Sequence, residues 1–286
     1  YFNDVMSSGI INAKSVTFYG NLYNTSTITL TGGSGVGTNG ILNSGIITTQ
    51  GSIIISNFTN SGIATLSSSS WVTGNFTNIS GELTLDGGVI DGVLLVEAVP
   101  FVVTNNTAIV GSLSGNGDGN LLGSLKLLNA NDTYSGILSG NGSLIMSGGH
   151  EILIGNSDLT GSVQINRNSI LQLGDGGWSG SLGSPSGIVN NGDMVVDRSG
   201  VIGLNSSIEG IGNLTKNGDG ILILSGQNMY SGFTNVNAGT LQVDGSTGTG
   251  DTTVASGATL IGTGTVGGNA IITSGATLSA GDAIGD

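Results

Sequence analysis

The sequence predicts an all-β chain whose short strands stack as a parallel β-helix, or solenoid, with about 18 residues per coil. The 286 residues include 54 glycines and 2 prolines, with many β-branched residues, a composition that opposes helices. Short apolar alternations, such as Ile221–Leu224, are bounded by Gly, Asn, Ser or Asp. Motifs also recur at a fixed period, and one coil cannot bury its apolar side chains without neighbouring coils.

The N-terminal repeat is marked by an asparagine at the end of successive short strands. These residues are Asn24, Asn43, Asn60 and Asn78, so the spacings are 19, 17 and 18 residues. We expect their side chains to stack and to hydrogen-bond from coil to coil. Phe58 and Phe76 recur in the same register and are predicted to be stacked core residues.

The C-terminal repeat has the same period. Its glycines, Gly239, Gly257 and Gly275, are 18 residues apart, and each is followed by a strand with a leucine. Those leucines are Leu241, Leu260 and Leu278, which we expect to point inward and stack. Between the two repeats, residues 93–110, with Pro100, interrupt the pattern, which favours an inserted loop or a bent coil.

Composition and charge exclude several classes of function. Apolar residues make up 37% of the chain, enough for a core, and the net charge is −13. Five cations, too few to neutralise a phosphate backbone, are scattered along the chain: Lys14, Lys126, Arg167, Arg198 and Lys216. We therefore expect no nucleic acid partner. The longest apolar stretch, residues 93–103, is short and contains Glu97 and Pro100, so no membrane insertion by this segment is expected.

Residues 210–243, from Gly-Ile-Gly-Asn-Leu through Ala-Gly-Thr-Leu-Gln-Val, resemble the passenger-associated transport repeat of autotransporters, the type V secreted proteins of Gram-negative bacteria. A degraded copy covers residues 140–173, and a fragment lies at residues 131–136. The stretch 275–285 is similar to the segment that precedes the autochaperone region and membrane barrel of that family. The specific resemblance covers roughly residues 114–286, whereas residues 1–113 share only period and composition.

The resemblance implies export through the periplasm and folding outside the cell as a right-handed parallel β-helix, either secreted or at the bacterial cell surface. It also implies a single passenger domain over 1–286, with irregular N-terminal coils at 1–113 and transport-repeat-like coils at 114–286. No counterpart of the membrane barrel follows within the sequence. We therefore expect a processed or truncated passenger.

The sequence predicts no catalytic, cofactor or metal site, and hence no enzyme. His150 is the only histidine, and its place in the repeat predicts an exposed turn. The carboxylate pairs Asp86 with Asp91 and Asp193 with Asp197 could each approach across a turn, but solvated turn carboxylates are the better interpretation. The Asn-Gly-Asp turns at residues 116–119, 191–193 and 217–220 lack the tandem calcium-binding repeat of some solenoids.

The remaining polar surface points to binding. Residues 15–81 contain no charged side chain, which leaves a wall of Ser, Thr and Asn suited to repeated hydrogen bonds. Trp178 and Trp71 are the candidate ligand-binding residues, because aromatic faces stack on sugars. We expect adhesion through a host-cell surface protein, a matrix protein or a glycan, or self-association with another copy. The alternatives are a released effector that engages a host-cell receptor and, third, a polysaccharide-active enzyme.

Overall fold

The computed structural model describes residues 3–37, 40–54 and 56–281. These residues contain no helix and form about 14 parallel, stacked coils about 19 residues apart. The all-β solenoid expected from the sequence is therefore confirmed, while its right-handedness stays a prediction. The chain divides into two compact units, residues 1–143 and 144–286, and the expectation of a single domain over 1–286 also stays a prediction.

The strands of unit 1 are two to eight residues long. They are Val5–Ser7 (β1), Ile11–Lys14 (β2), Thr17–Phe18 (β3), Leu22–Asn24 (β4), Thr27–Thr31 (β5), Gly35–Val36 (β6), Ile41–Asn43 (β7), Ile46–Gln50 (β8), Ile53–Ile54 (β9), Phe58–Asn60 (β10), Ile63–Ser67 (β11), Trp71–Val72 (β12), Phe76–Asn78 (β13), Glu82–Asp86 (β14), Val89–Val96 (β15), Phe101–Val103 (β16), Ala108–Gly115 (β17), Gly119–Leu121 (β18), Leu125–Leu127 (β19), Thr133–Tyr134 (β20) and Leu138–Gly140 (β21).

Three parallel stacks of strands form the sides of unit 1. The first stack runs β2-β5-β8-β11-β14-β16-β18-β21. The second runs β3-β6-β9-β12-β15, and the third runs β1-β4-β7-β10-β13-β15. The long strands β15 and β17 join the second and third stacks, with a register shift between Ile90 and Val93. Each coil therefore presents three sides to solvent.

The core of unit 1 is built by the alternation of side chains along each strand. Phe58 and Phe76 are fully buried in paired positions of β10 and β13, with ring centroids 4.4 Å apart and ring planes tilted by 39°. Their predicted stacking is confirmed. Gly81, at φ +81°, illustrates why glycine recurs at corners: a Cβ there would lie 2.0 Å from the carbonyl oxygen of Gly62.

The four repeat asparagines form a buried ladder at one corner of unit 1, as predicted. The Nδ2 group of each donates to Oδ1 of the next at 2.7 Å, in the order Asn24, Asn43, Asn60, Asn78. The next coil places Val96 opposite Asn78, and Nδ2 of Asn78 is buried without a hydrogen-bond partner among the described residues. The ladder therefore ends at Asn78.

The expectation of an inserted loop or a bent coil at residues 93–110 is wrong. Leu94 pairs with Phe76 on one side and with Leu113 on the other, and Phe101 pairs with Leu83 and Gly119. The residues thus continue the regular stacks as β15, β16 and β17. Pro100 precedes β16, outside the strand pairing, where its missing N–H costs no ladder hydrogen bond.

The strands of unit 2 are two to five residues long. They are Leu144–Met146 (β22), Gly149–Leu153 (β23), Asn156–Leu159 (β24), Val163–Ile165 (β25), Ser169–Leu173 (β26), Ser181–Gly183 (β27), Ile188–Asn190 (β28), Asp193–Val196 (β29), Val201–Leu204 (β30), Ile208–Glu209 (β31), Asn213–Lys216 (β32), Ile221–Leu224 (β33), Thr234–Val236 (β34), Thr240–Val243 (β35), Thr252–Val254 (β36), Thr259–Ile261 (β37), Ala270–Ile272 (β38) and Thr277–Leu278 (β39).

Unit 2 is also a stack of parallel coils. One side runs β23-β26-β29-β32-β34-β36-β38, a second runs β22-β25-β28-β31, and a third contains β24-β27 and then β30-β33-β35-β37-β39. Leu241, Leu260 and Leu278 occupy paired positions, as predicted. The first two are buried, but Leu278 is 57% exposed.

The coil length in unit 2 varies where a loop is inserted. Leu173 pairs with Val196, so the coil that starts there has 23 residues, whereas Leu260 and Leu278 are 18 residues apart. The extra residues lie between β26 and β27, in the glycine-rich segment that contains Trp178.

Candidate contact surfaces

The most prominent exposed aromatic residue of unit 2 is Trp178, whose side chain is 78% exposed. It lies in the segment 174–180, here called the Trp178 loop, between β26 and β27. A buried Gly200 lies beneath the indole, because a Cβ at Gly200 would be 3.1 Å from Cε3 of Trp178. The loop thus presents the ring to solvent with Gly200 closely packed against its other side, where a larger residue would require the ring to shift.

Arg198 holds the Trp178 loop from below. Its side chain is buried, and its Nη1 donates a 2.9 Å hydrogen bond to the carbonyl oxygen of Gly180, while Nη2 donates to the carbonyl oxygen of Trp178. The backbone adds a further bond, because the amide of Gly176 donates to the carbonyl oxygen of Asp197 at 2.9 Å. These bonds fix both halves of the loop.

Burial also shapes the electrostatics of this clamp. Desolvation lowers the pKa of the Arg198 guanidinium below its ordinary value. Its Nε is buried without a hydrogen-bond partner among the described residues. The hydrogen bonds that this buried guanidinium donates therefore go to two backbone carbonyls of the loop. These bonds hold the loop in one conformation.

Trp71 lies in unit 1 and is 45% exposed. It faces outward from β12, in register with Val89 of the next coil, whereas the adjacent Val72 is fully buried. The indole is therefore the outward member of an alternating strand. Ligand binding by Trp178 and Trp71 stays a prediction.

Within the charge-free range 15–81, the strands β5, β8 and β11 present an ordered outer surface on the first stack of unit 1. The central outward row is a ladder of half-buried threonines on successive strands, Thr29, Thr48 and Thr65. Thr84 continues the row beyond the charge-free range, between the outward carboxylates Glu82 and Asp86. Beside it, Ile46 and Ile63 are paired and are 42% and 40% exposed. A row of hydroxyl groups and a row of aliphatic groups thus lie side by side on this face, and each row repeats at the spacing of adjacent strands, about 4.8 Å.

His150 lies in β23 and not in a turn, so that prediction is wrong. It pairs with Ile170, and its Nε2 lies 3.1 Å from Oε1 of Gln172, a neutral amide. The alternation of β23 directs Glu151 into the core and leaves His150 half-buried. The structure gives His150 no carboxylate hydrogen-bond partner among the described residues.

The candidate carboxylates have structural partners. Oδ1 of Asp86 accepts 2.7 Å hydrogen bonds from Thr104 and Asn106, and Oδ1 of Asp193 accepts one from Asn213 at 2.8 Å. Over the described ranges, no group of three or more His, Asp or Glu side chains is placed to hold a metal ion.

Reasoning from composition treated Lys216 as one of five scattered cations and did not identify it as a core residue. It is buried, and its Nζ donates to the carbonyl oxygens of Gly218 and Ala238. Desolvation lowers its pKa, an effect opposed by the charges of Asp219 and Asp197. The strand alternation carries the signal, because Lys216 pairs with the inward residues Val196 and Val236.

Two comparisons with known proteins bear on this solenoid. Residues 214–243 match the family model of the passenger-associated-transport-repeat. A 71-residue stretch is 42% identical to the "Adhesin BmaC autotransporter" of Brucella suis biovar 1 (strain 1330). Both matches support an autotransporter passenger domain.

The two matches also indicate a secreted or cell-surface protein. The stretch shared with the Brucella adhesin is 25% of this chain and 2% of that relative, so the chain matches a small part of a much longer protein. No solved structure matches the chain. Within the part of the chain that the structure describes, no helix is both long and apolar enough to cross a membrane.

Proposed function

We propose that this autotransporter passenger acts by surface contact, as an adhesin for host cells or matrix or as a self-associating surface protein. The observation that carries the proposal is the ordered outer face of the first stack within the charge-free range 15–81, with its ladder of Thr29, Thr48 and Thr65. Such a face offers the same hydrogen-bonding and aliphatic groups on each coil. A repeated weak contact gains avidity with each additional coil that engages.

The partial match to a protein named as an adhesin supports the same function. The polar groups of the candidate catalytic residues support a non-enzymatic passenger, because Asp86, Asp193 and His150 are hydrogen-bonded to neutral side chains. A reducing-sugar assay on acidic and neutral polysaccharides tests that part of the proposal. We expect no new sugar ends, and their steady release would contradict it.

A specific observation favours the second candidate, a released effector that engages a host-cell receptor. The Trp178 loop is a compact patch with one large exposed aromatic side chain, which is typical of the centre of a protein interface. Under this alternative, Trp178→Ala alone removes most of the binding. Under adhesion, the same change leaves most of it, because contact is spread along the face of unit 1.

Attachment of beads coated with the purified chain separates the two candidates. We expect wild-type beads to attach to cells, to matrix or to each other, and soluble chain to compete. Beads with Trp178→Ala are the comparison, with Arg167→Ala, an exposed cation of the same unit, as the matched control. Loss with Trp178→Ala alone would favour the receptor effector.

A further inference from the structure

A shallow groove runs along the asparagine corner of unit 1. Its cavity of about 170 Å³ lies between the outward side chains of the third stack and the residues that follow each ladder asparagine. Tyr23, Leu42 and Thr59 line one side, and Thr25, Ser44 and Ser61 line the other. We call this cavity the corner groove.

The hydroxyl side of the corner groove is a row of hydrogen-bond acceptors. Each hydroxyl donates its single hydrogen to a carbonyl oxygen of the preceding coil: Thr25 to Ser7 at 2.9 Å, and Ser44 and Ser61 to two ladder asparagines at 3.1 Å. These side chains are nevertheless exposed. Because a hydroxyl has one hydrogen and two lone pairs, each retains acceptor capacity toward a ligand.

The opposite side of the groove is apolar and aromatic. Leu42 is 48% exposed, and Tyr23, which pairs with it on the neighbouring strand, is half-buried. Adjacent strands repeat about every 4.8 Å, so the hydroxyl groups recur on three successive coils, opposite Tyr23, Leu42 and Thr59 in turn. A repeating groove fits a ligand that itself repeats.

Charge narrows the ligand class. The corner groove lies wholly within residues 15–81, which contain no ionisable side chain of Asp, Glu, Lys, Arg or His. It offers no charge complementarity to an anionic or a cationic polymer. Acceptors on one side and an aromatic ring on the other instead suit hydroxyl donors carried on a ring with apolar C–H faces.

We propose that the corner groove binds a neutral polysaccharide, with a sugar ring stacked on Tyr23 and its hydroxyls donating to Ser44 and Ser61. This inference deepens the proposed function and rests on contact being the activity of the chain. It places the carbohydrate site in the corner groove, which is lined by neither Trp71 nor Trp178.

Titration of the whole chain with neutral glucose oligomers tests the site. The probes are cello-, laminari- and malto-oligosaccharides with glucose as the monomer, and polygalacturonate is the charged comparator. We expect at least one neutral series to bind more tightly as the oligomer lengthens. Failure of all three series to bind, or preferential binding of polygalacturonate, would overturn the proposal.

Variants locate the binding. Tyr23→Ala is expected to weaken it by about tenfold, while Tyr23→Phe, which keeps the ring, stays within about threefold of wild type. Thr77→Ala, on the same outward row but outside the groove lining, is the matched control and leaves affinity unchanged. Unchanged affinity with Tyr23→Ala would overturn the proposal.

A second variant keeps the test valid if Tyr23→Ala does not fold. Leu42→Arg adds bulk and charge at an exposed position of the groove and is expected to abolish binding without lowering the melting temperature. Bead attachment is measured in parallel. Oligosaccharide binding that persists in both groove variants refutes the saccharide site and leaves adhesion standing, whereas oligosaccharide binding by the wild type without any attachment refutes adhesion and leaves the site standing.

Discussion

Nδ2 of Asn43 donates a 2.7 Å hydrogen bond to Oδ1 of Asn60, 17 residues later and directly opposite in the next coil. The bond is buried, and Nδ2 of Asn60 donates in turn to Oδ1 of Asn78. Side-chain amides thus satisfy each other along the axis of unit 1, at a corner where the backbone carbonyls also need donors. Asn60, for example, donates to the carbonyl oxygens of Gly62 and Glu82.

Asn60→Ala is expected to lower the free energy of unfolding by about 1 to 3 kcal/mol, because it leaves buried polar groups without partners. Asn78→Ala should cost less, since Nδ2 of Asn78 has no hydrogen-bond partner among the described residues. Chemical denaturation of both variants measures the difference. Equal losses for the two, or none for Asn60→Ala, would contradict a ladder that ends at Asn78.

Leu260→Asp is expected to destabilise the chain by about 3 to 5 kcal/mol, because it buries a charge between coils. Leu278→Asp is the matched control: it lies in the same row but is 57% exposed, so its cost should stay within about 0.5 kcal/mol. Thermal melts of the two variants give the comparison. A wild-type melt for Leu260→Asp would refute the inward leucine row.

The buried Lys216 predicts a pH dependence of stability. Its folded-state pKa lies below the ordinary value of 10.5, so between those two values the unfolded chain binds more protons than the folded chain. The free energy of unfolding should therefore rise with pH across that window. Lys216→Met removes the titrating group, so wild type should gain stability relative to this variant as the pH approaches 10.5.

The comparison with Lys216→Met also cancels an opposing effect. Burial raises the pKa of Tyr230 above its ordinary value of 10.0, which lowers stability above that pH in both proteins. Denaturant midpoints of the pair at several alkaline pH values give the difference. A difference that is flat with pH would contradict burial of a charged Lys216.

Arg198→Met is expected to loosen the Trp178 loop, because the loop carbonyls of Gly180 and Trp178 lose their donor. In a Trp71→Phe background, Trp178 is the only tryptophan, so its fluorescence anisotropy should fall and its quenching by acrylamide should rise. Arg167→Met, at an exposed cation, is the control. An unchanged signal in Arg198→Met would show that the clamp does not order the loop.

Side-chain rows could be predicted wherever one residue type repeats at the same point of each coil. Asn24 to Asn78 and Leu241 to Leu278 are such rows, because stacked coils place like beside like. Lys216 and Arg198 gave no such signal, since their partners are backbone carbonyls, which any residue carries. Pro100 suggested an interruption of the repeat that the structure does not have. It lies just before β16, outside the strand pairing, so its missing N–H costs no hydrogen bond between strands.

The site was predictable only in part. The sequence identified Trp178 as a candidate ligand-binding residue, but the 23-residue coil and the clamp by Arg198 depend on which residues pair across coils. The corner groove likewise combines residues about 18 positions apart, such as Leu42 and Thr59, whose proximity follows from register alone.

His150→Ala should leave surface binding unchanged, because the activity proposed here needs no proton transfer at a single histidine. Attachment of beads coated with this variant is compared with attachment of wild-type beads at equal loading. Asn106→Ala, which removes a hydrogen bond to Asp86, is a further neutral control. Complete loss of attachment with His150→Ala in a folded chain would show that binding depends on a single residue and would contradict contact spread along a face.

The most direct test of contact along the face of unit 1 is bead attachment across a graded series: Thr48→Lys, then Thr48→Lys with Thr65→Lys, then both with Ile63→Lys. These half-buried or exposed outward positions are adjacent on neighbouring coils. The account predicts that attachment of folded variants falls in steps as charge is added to the neutral face. Attachment that stays at the wild-type level in the triple variant would contradict it.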